Sequence, residues 1–173
     1  MTSHHAQTTY QVRLGWGQQG LDQLASSGIV VIVDAIGDPA QLAASAKALA
    51  HEPTVFLATL RNPTATARAI YDEQLARGGR TSINLVLAGD DGAFAVDDYL
   101  AAGALADALT ALGIDHSAPD VAVAAEGFRP LTRAVKHLVS ASASGLALAE
   151  AAGTAAVREA AALDAETAAT RAV

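Results

Sequence analysis

Three hydrophobic runs in the chain stop at residues capable of chemistry. Asp34 closes the β-branched run Ile29-Val-Val-Ile-Val33, Arg61-Asn62 follows Thr54-Val-Phe-Leu-Ala-Thr59, and Asp90-Asp91 follows Ser82-Ile-Asn-Leu-Val-Leu-Ala88, with Asp97-Asp98 shortly after. Carboxylates gathered at one edge can hold a hard cation such as Mg2+, and a guanidinium beside helix amino ends can hold a phosphate. Together these abilities suit phosphoryl transfer, in which positioning and charge stabilisation contribute most of the catalysis. Each residue also has a plainer use. Asp34 can simply end its strand by bonding nearby amides, Asp97 and Asp98 can open a helix, and Arg61 can pair with an exposed acid. The chemistry requires the strands to be neighbours in one sheet.

Other residue types offer less. His51, His116 and His137 show no metal-ligand spacing, and His4 and His5 fall in an amino-terminal stretch expected to be floppy. Gly89-x-x-Gly92 lacks the third glycine and the immediate helix of a dinucleotide fingerprint and reads as a tight turn. Trp16, between two glycines, reads as a core anchor or as a lid. With no cysteine, the chain has neither disulfides nor a thiolate site. Its 11 Lys and Arg against 18 Asp and Glu, a net charge of −7, argue against a nucleic-acid partner. No apolar run is long enough to span a bilayer, and the start, Met-Thr-Ser-His-His-Ala-Gln7, has no signal-peptide pattern, so the expected location is the cytoplasm.

The elements that would position these residues follow from periodicity. At 173 residues the chain suits a single domain over 1–173. Tyr10 to Leu14 reads as a short edge strand, Gln18 to Ser26 as a helix, and Ile29 to Val33 as a central strand buried on both faces. Asp38-Pro39 and Asn62-Pro63 each supply a cap and a first-turn proline, opening helices over 40–50 and about 64–77. A helix from Asp97 to about Gly113 completes the alternation, which predicts an α/β fold: a layered α/β/α domain with a mainly parallel sheet. From Pro119 onward the pattern is only helical, with a helix expected to start at Pro130, a small-residue joint at Ser140 to Gly145, and fraying after Glu166.

These residues also carry a resemblance. Val12-Arg-Leu-Gly-Trp-Gly17, Ile32-Val-Asp34, Leu60-Arg-Asn62, Ala88-Gly89, Asp97-Asp-x-x-Ala-Ala-Gly103 and Ser142-Ala-Ser-Gly145-x-x-Leu148 follow one another as their counterparts do in the 2-phosphosulfolactate phosphatases of the ComB type. The resemblance runs from Val12 to about Asp164. It implies an α/β/α domain, a homo-oligomer and most often a dimer, with Mg2+-dependent hydrolysis of the phosphate ester of a small sulfonated hydroxy acid. Carried over by position, it implies Asp34 and Asp98 at the metal, Arg61 and Asn62 on the anionic phosphate-ester substrate, and Asp34, Arg61 and Asp97 in catalysis. The chain also departs from the pattern. Ala35-Ile-Gly-Asp-Pro-Ala40 lacks the hydroxyls usual after the aspartate, a short connection at Ala50 to Pro53 replaces a segment bearing Asn-Gly-Thr or Asn-Gly-Ser, and Ala156-Val157 stands where Asp-Val is usual. A second reading is therefore a catalytically inactive member that serves as a small-anion binder or an oligomeric interaction protein.

Overall fold

A computed structural model describes residues 4–172. Strands β1 (Val12–Trp16), β2 (Ile29–Val33), β3 (Thr54–Ala58) and β4 (Ile83–Leu87) are parallel, and β5 (Thr170–Arg171) pairs antiparallel with β3, in the order β1-β4-β2-β3-β5. β2 lies in the middle, as its apolar run predicts, and all its residues are fully buried. Successive side chains alternate between two cores. Ile29, Val31 and Val33 join the larger one, whereas Val30 and Ile32 join the smaller.

The smaller core is covered by α1 (Gly17–Gln23) and α2 (Ala40–Lys47) through Leu21, Ala43 and Ala46. The larger is covered by α3 (Pro63–Ala76), α4 (Val96–Ala111) and α5 (Pro119–Leu131), with α6 (Val135–Ala141) and α8 (Thr154–Ala160) beyond them. Between α6 and α8 runs α7 (Ala143–Ala152), capped by Ser142, whose Oγ accepts from the Gly145 amide at 3.0 Å. The α/β/α layers are thus unequal. α4 is buried along most of its length, and its contact with α5 is very close: a β-carbon on Gly103 would sit 2.4 Å from the Ala124 carbonyl oxygen. Among the described residues no helix is long and apolar enough to cross a membrane.

Several expectations about the ends of elements are corrected. Pro130 does not start a helix but lies inside α5, one residue before its end, where the missing N–H costs a single helical bond; a 3-10 turn, Thr132–Ala134, follows. Of the stretch expected to fray, the described part, 166–172, is tied down, and Val173 lies outside the described residues. Residues 170–171 pair with β3, and Arg171 reaches Glu73 at 2.7 Å and lies over the Phe56 ring. His4 and His5 belong to a 3-10 turn, His4–Ala6. Asp38 does assist the start of α2, its Oδ1 accepting from the Ala40 amide at 3.0 Å, but Pro39 rather than Asp38 occupies the capping position.

Candidate active site

Because β2, β3 and β4 run parallel, their carboxyl ends meet along one edge, and short backbone bonds hold that edge together. The Asp34 amide donates to the Ala58 carbonyl at 3.0 Å, and the Ala88 amide donates to the Val33 carbonyl at 2.9 Å. Asp34 is therefore fixed at the middle of the edge, where ligands of open α/β sheets bind. The turn that follows folds back over its carboxylate, which accepts from the Ile36 amide. Gly37 completes this wrap: a β-carbon there would sit 2.6 Å from each Asp34 carboxylate oxygen. Any larger residue here would have to push the carboxylate out of this seat.

The first turn of α4 brings two more acids to the same edge, both almost completely buried. Asp98 Oδ1 accepts from the Ala35 amide and its Oδ2 from the Gly89 amide, each at 2.7 Å, so one carboxylate clasps the turns after β2 and β4. Asp97 is less well served. Its Oδ1 accepts from the Ser144 hydroxyl at 3.2 Å, while its Oδ2 is buried without a hydrogen-bond partner. Such an orphan is expensive in an ordinary interior.

The electrostatics follow from this crowding. Burial, then the charges of Asp97 and Asp38, push the Asp34 carboxyl up to about 6, against the pull of the Ile36 amide. Burial raises Asp98 to about 7 despite its two amide bonds, with Asp34 and Asp97 adding smaller repulsions. Asp97 is raised by burial as well, and Asp90 contributes to it. A cavity of about 420 Å3 opens beside Asp34, bounded by Gln18, Gly37, Asp38, Gly89 and Asp91 among others, and no Lys, Arg or His lines it.

The polar residues after β3 behave differently. Arg61 is turned towards the carboxyl-terminal segment and does not line this cavity. Its Nε donates to Glu166 Oε1 at 2.8 Å and its Nη1 to the Glu159 carbonyl at 2.8 Å, with the Glu159 carboxylate 3.7 Å away. Asn62 is buried and turned inward, its Oδ1 accepting from the Thr59 amide at 2.9 Å and its Nδ2 donating to the Leu57 carbonyl at 3.4 Å. It occupies the capping position of α3 without a side-chain capping bond, and Pro63 follows as expected. The edge thus gathers Asp34, Asp97 and Asp98 but leaves Arg61 and Asn62 as braces of the β3–α3 turn.

A family model described as 2-phosphosulpholactate phosphatase matches residues 41–169. The chain belongs to this family. Within the 2-phosphosulpholactate phosphatase match lie Arg61, Asn62, Asp97, Asp98 and Ser144, whereas Asp34 precedes it. Among curated proteins none matches the chain. Two family-member residues with work at the edge escape a reading by residue type, Gly37 and Ser144. The signal for Gly37 was a glycine three residues after a strand-end aspartate, and for Ser144 the small-residue joint itself, which reads as packing until Asp97 is placed opposite it.

Proposed function

We propose that the protein is a Mg2+-assisted phosphatase acting on the phosphate ester of a small sulfonated or related hydroxy acid. The observation that supports this most is the set of buried carboxylates at the sheet edge, Asp34, Asp97 and Asp98, of which Asp34 lines a cavity that has no basic residue in its wall. A phosphate dianion would be repelled by that cavity alone, so a cation has to stand between substrate and protein.

The donor set suits such an ion. Among the described residues no group of three or more His, Cys, Asp or Glu side chains is arranged to hold a metal, but Mg2+ is commonly held by one or two carboxylates, its other ligands being water and substrate oxygens. Asp34, which lines the cavity, and Asp97, whose Oδ2 lacks a partner, would hold it. Bound there, Mg2+ supplies Lewis-acid neutralisation of phosphoryl oxygens. Asp98, with both oxygens on backbone amides, positions the turns that carry Asp34 and Gly89. The uncharged amide of Gln41, on the cavity wall, is left to orient the polar body of the substrate. Arg61 fixes the turn after β3 and would reach substrate only by leaving Glu166 and Glu159.

The test is phosphate release from 2-phosphosulfolactate with and without Mg2+. Release is expected to need the ion and to fall at least about a hundredfold in Asp34→Asn, the scale of losing one stabilising group from a transition state. Equal release by both proteins would remove the assignment. The second reading, an inactive small-anion-binding or interaction protein, is favoured by one observation: the guanidinium expected at the substrate is held by two glutamates. It predicts substrate or Mg2+ binding by calorimetry with no turnover at any ion concentration.

A further inference from the structure

At the opposite end of the sheet lies a second polar feature that the phosphatase reading does not use. Arg13, on β1 opposite Asn84 of β4, is the one basic side chain among the described residues that is buried, at 5% exposure. A buried guanidinium normally requires a carboxylate. None is supplied here, since no ion pair among the described residues includes Arg13. Its Nε donates to the Tyr10 carbonyl at 2.9 Å and its Nη1 to the carbonyls of Ala25 and Ser26 at 3.0 and 3.2 Å. Nη2 donates to Ser82 Oγ at 3.2 Å. These bonds satisfy donors without neutralising the charge, and they leave one N–H of Nη2 uncommitted, because guanidinium carries five. Burial lowers the Arg13 pKa, as a charge lacking a counterion requires.

Arg13 lines a cavity of about 310 Å3 together with Thr8, Thr9, Arg80, Ser82 and His116. Arg80 is exposed and makes no ion pair or side-chain hydrogen bond with the rest of the described chain. Ser82 Oγ accepts from Arg13, so its own hydrogen is free to donate onward. No Asp or Glu lines the cavity, although the chain as a whole carries a net charge of −7. Cationic and hydroxyl donors with no competing acid form the chemistry that recognises a tetrahedral oxyanion. We infer that this cavity binds a small sulfate or phosphate group, free or esterified, between Arg13, Arg80 and Ser82, remote from the carboxylate edge.

Sulfate titration by calorimetry at constant ionic strength tests it, since screening alone then stays fixed. Wild type should bind sulfate saturably, and Arg80→Gln should weaken it about tenfold, the scale of one lost charge-assisted bond. Asp34→Asn should leave sulfate affinity unchanged, and Arg80→Gln should leave basal phosphate release unchanged. Phosphoserine, as a free monoester, separates the sources: tighter binding than sulfate means an esterified ligand, and equal binding means the group alone is read. Absence of saturable binding, wild-type affinity in Arg80→Gln, or loss of binding in Asp34→Asn would each overturn the inference. Arg80→Gln carries the test because its exposed side chain makes no ion pair or side-chain hydrogen bond with the described chain, so folding is not at stake.

Discussion

The two ends of the parallel sheet carry opposite burdens. At the carboxyl edge Asp34, Asp97 and Asp98 are buried without a base, and backbone amides of Ile36, Ala35 and Gly89 take up oxygens of Asp34 and Asp98. At the amino edge Arg13 is buried without an acid, and backbone carbonyls of Tyr10, Ala25 and Ser26 take up its N–H groups. In both places peptide dipoles stand in for counterions. Dipoles satisfy hydrogen bonds but leave net charge, so each end carries a charge that no side chain of opposite sign offsets.

The largest expected way to break this comparison is Asp98→Ala. The buried amide of Ala35 and the part-buried amide of Gly89 would lose their acceptor, costing about 2–6 kcal/mol at about 1–3 each, and urea unfolding should show it; Asp98→Asn, which keeps one acceptor, should recover roughly half. At the other end Arg13→Met should cost less, about 2–3 kcal/mol, because carbonyls tolerate a lost donor better than buried amides tolerate a lost acceptor. A larger loss for Arg13→Met than for Asp98→Ala would invert the ranking of the two ends.

The pH dependence sharpens the contrast. Asp34 at about 6 and Asp98 at about 7 both lie above their unfolded value near 3.8. At these two carboxyls the folded state binds more protons than the unfolded state between about pH 4 and 7, so their contribution to stability falls as pH rises through that window. Without divalent ions the melting temperature should be higher at pH 5 than at pH 8, by a few degrees. Mg2+ should restore more of it at pH 8 than at pH 5, and a flat profile in thermal scans would mean the carboxylates are not crowded. Arg61→Gln should have the smallest effect, with little change in melting temperature, because its ion pairs are solvent-screened. Faster amide exchange over residues 159–166 should reveal the lost brace, whereas a large loss of phosphate release would return Arg61 to the substrate.

Local pattern carried the fold. The unbroken run of β2 identified the central strand, and acids or polar residues at strand ends identified the edge, because both signals lie within a few adjacent residues. What stayed hidden depends on distant partners. Nothing near Arg61 announces Glu159 and Glu166, which reach it only after the carboxyl-terminal helices have folded back. Likewise β5 is too short and polar to read as a strand, and exists through pairing with β3. Arg13 reads as a residue of a short edge strand, and its burial depends on the Ala25 and Ser26 carbonyls, which lie beside it only in the fold.

The tight seat of Gly103 against the Ala124 carbonyl oxygen constrains more than local packing. With no side chain to act as a bearing, α4 cannot roll or slide on α5 without the backbones colliding. The helix whose first turn carries Asp97 and Asp98 is thereby a fixed rail, and any rearrangement at that edge must be absorbed by the glycine-bearing turns opposite it. Enlarging this seam would require a matching reduction on α5, so the two helices can change in sequence only as a couple.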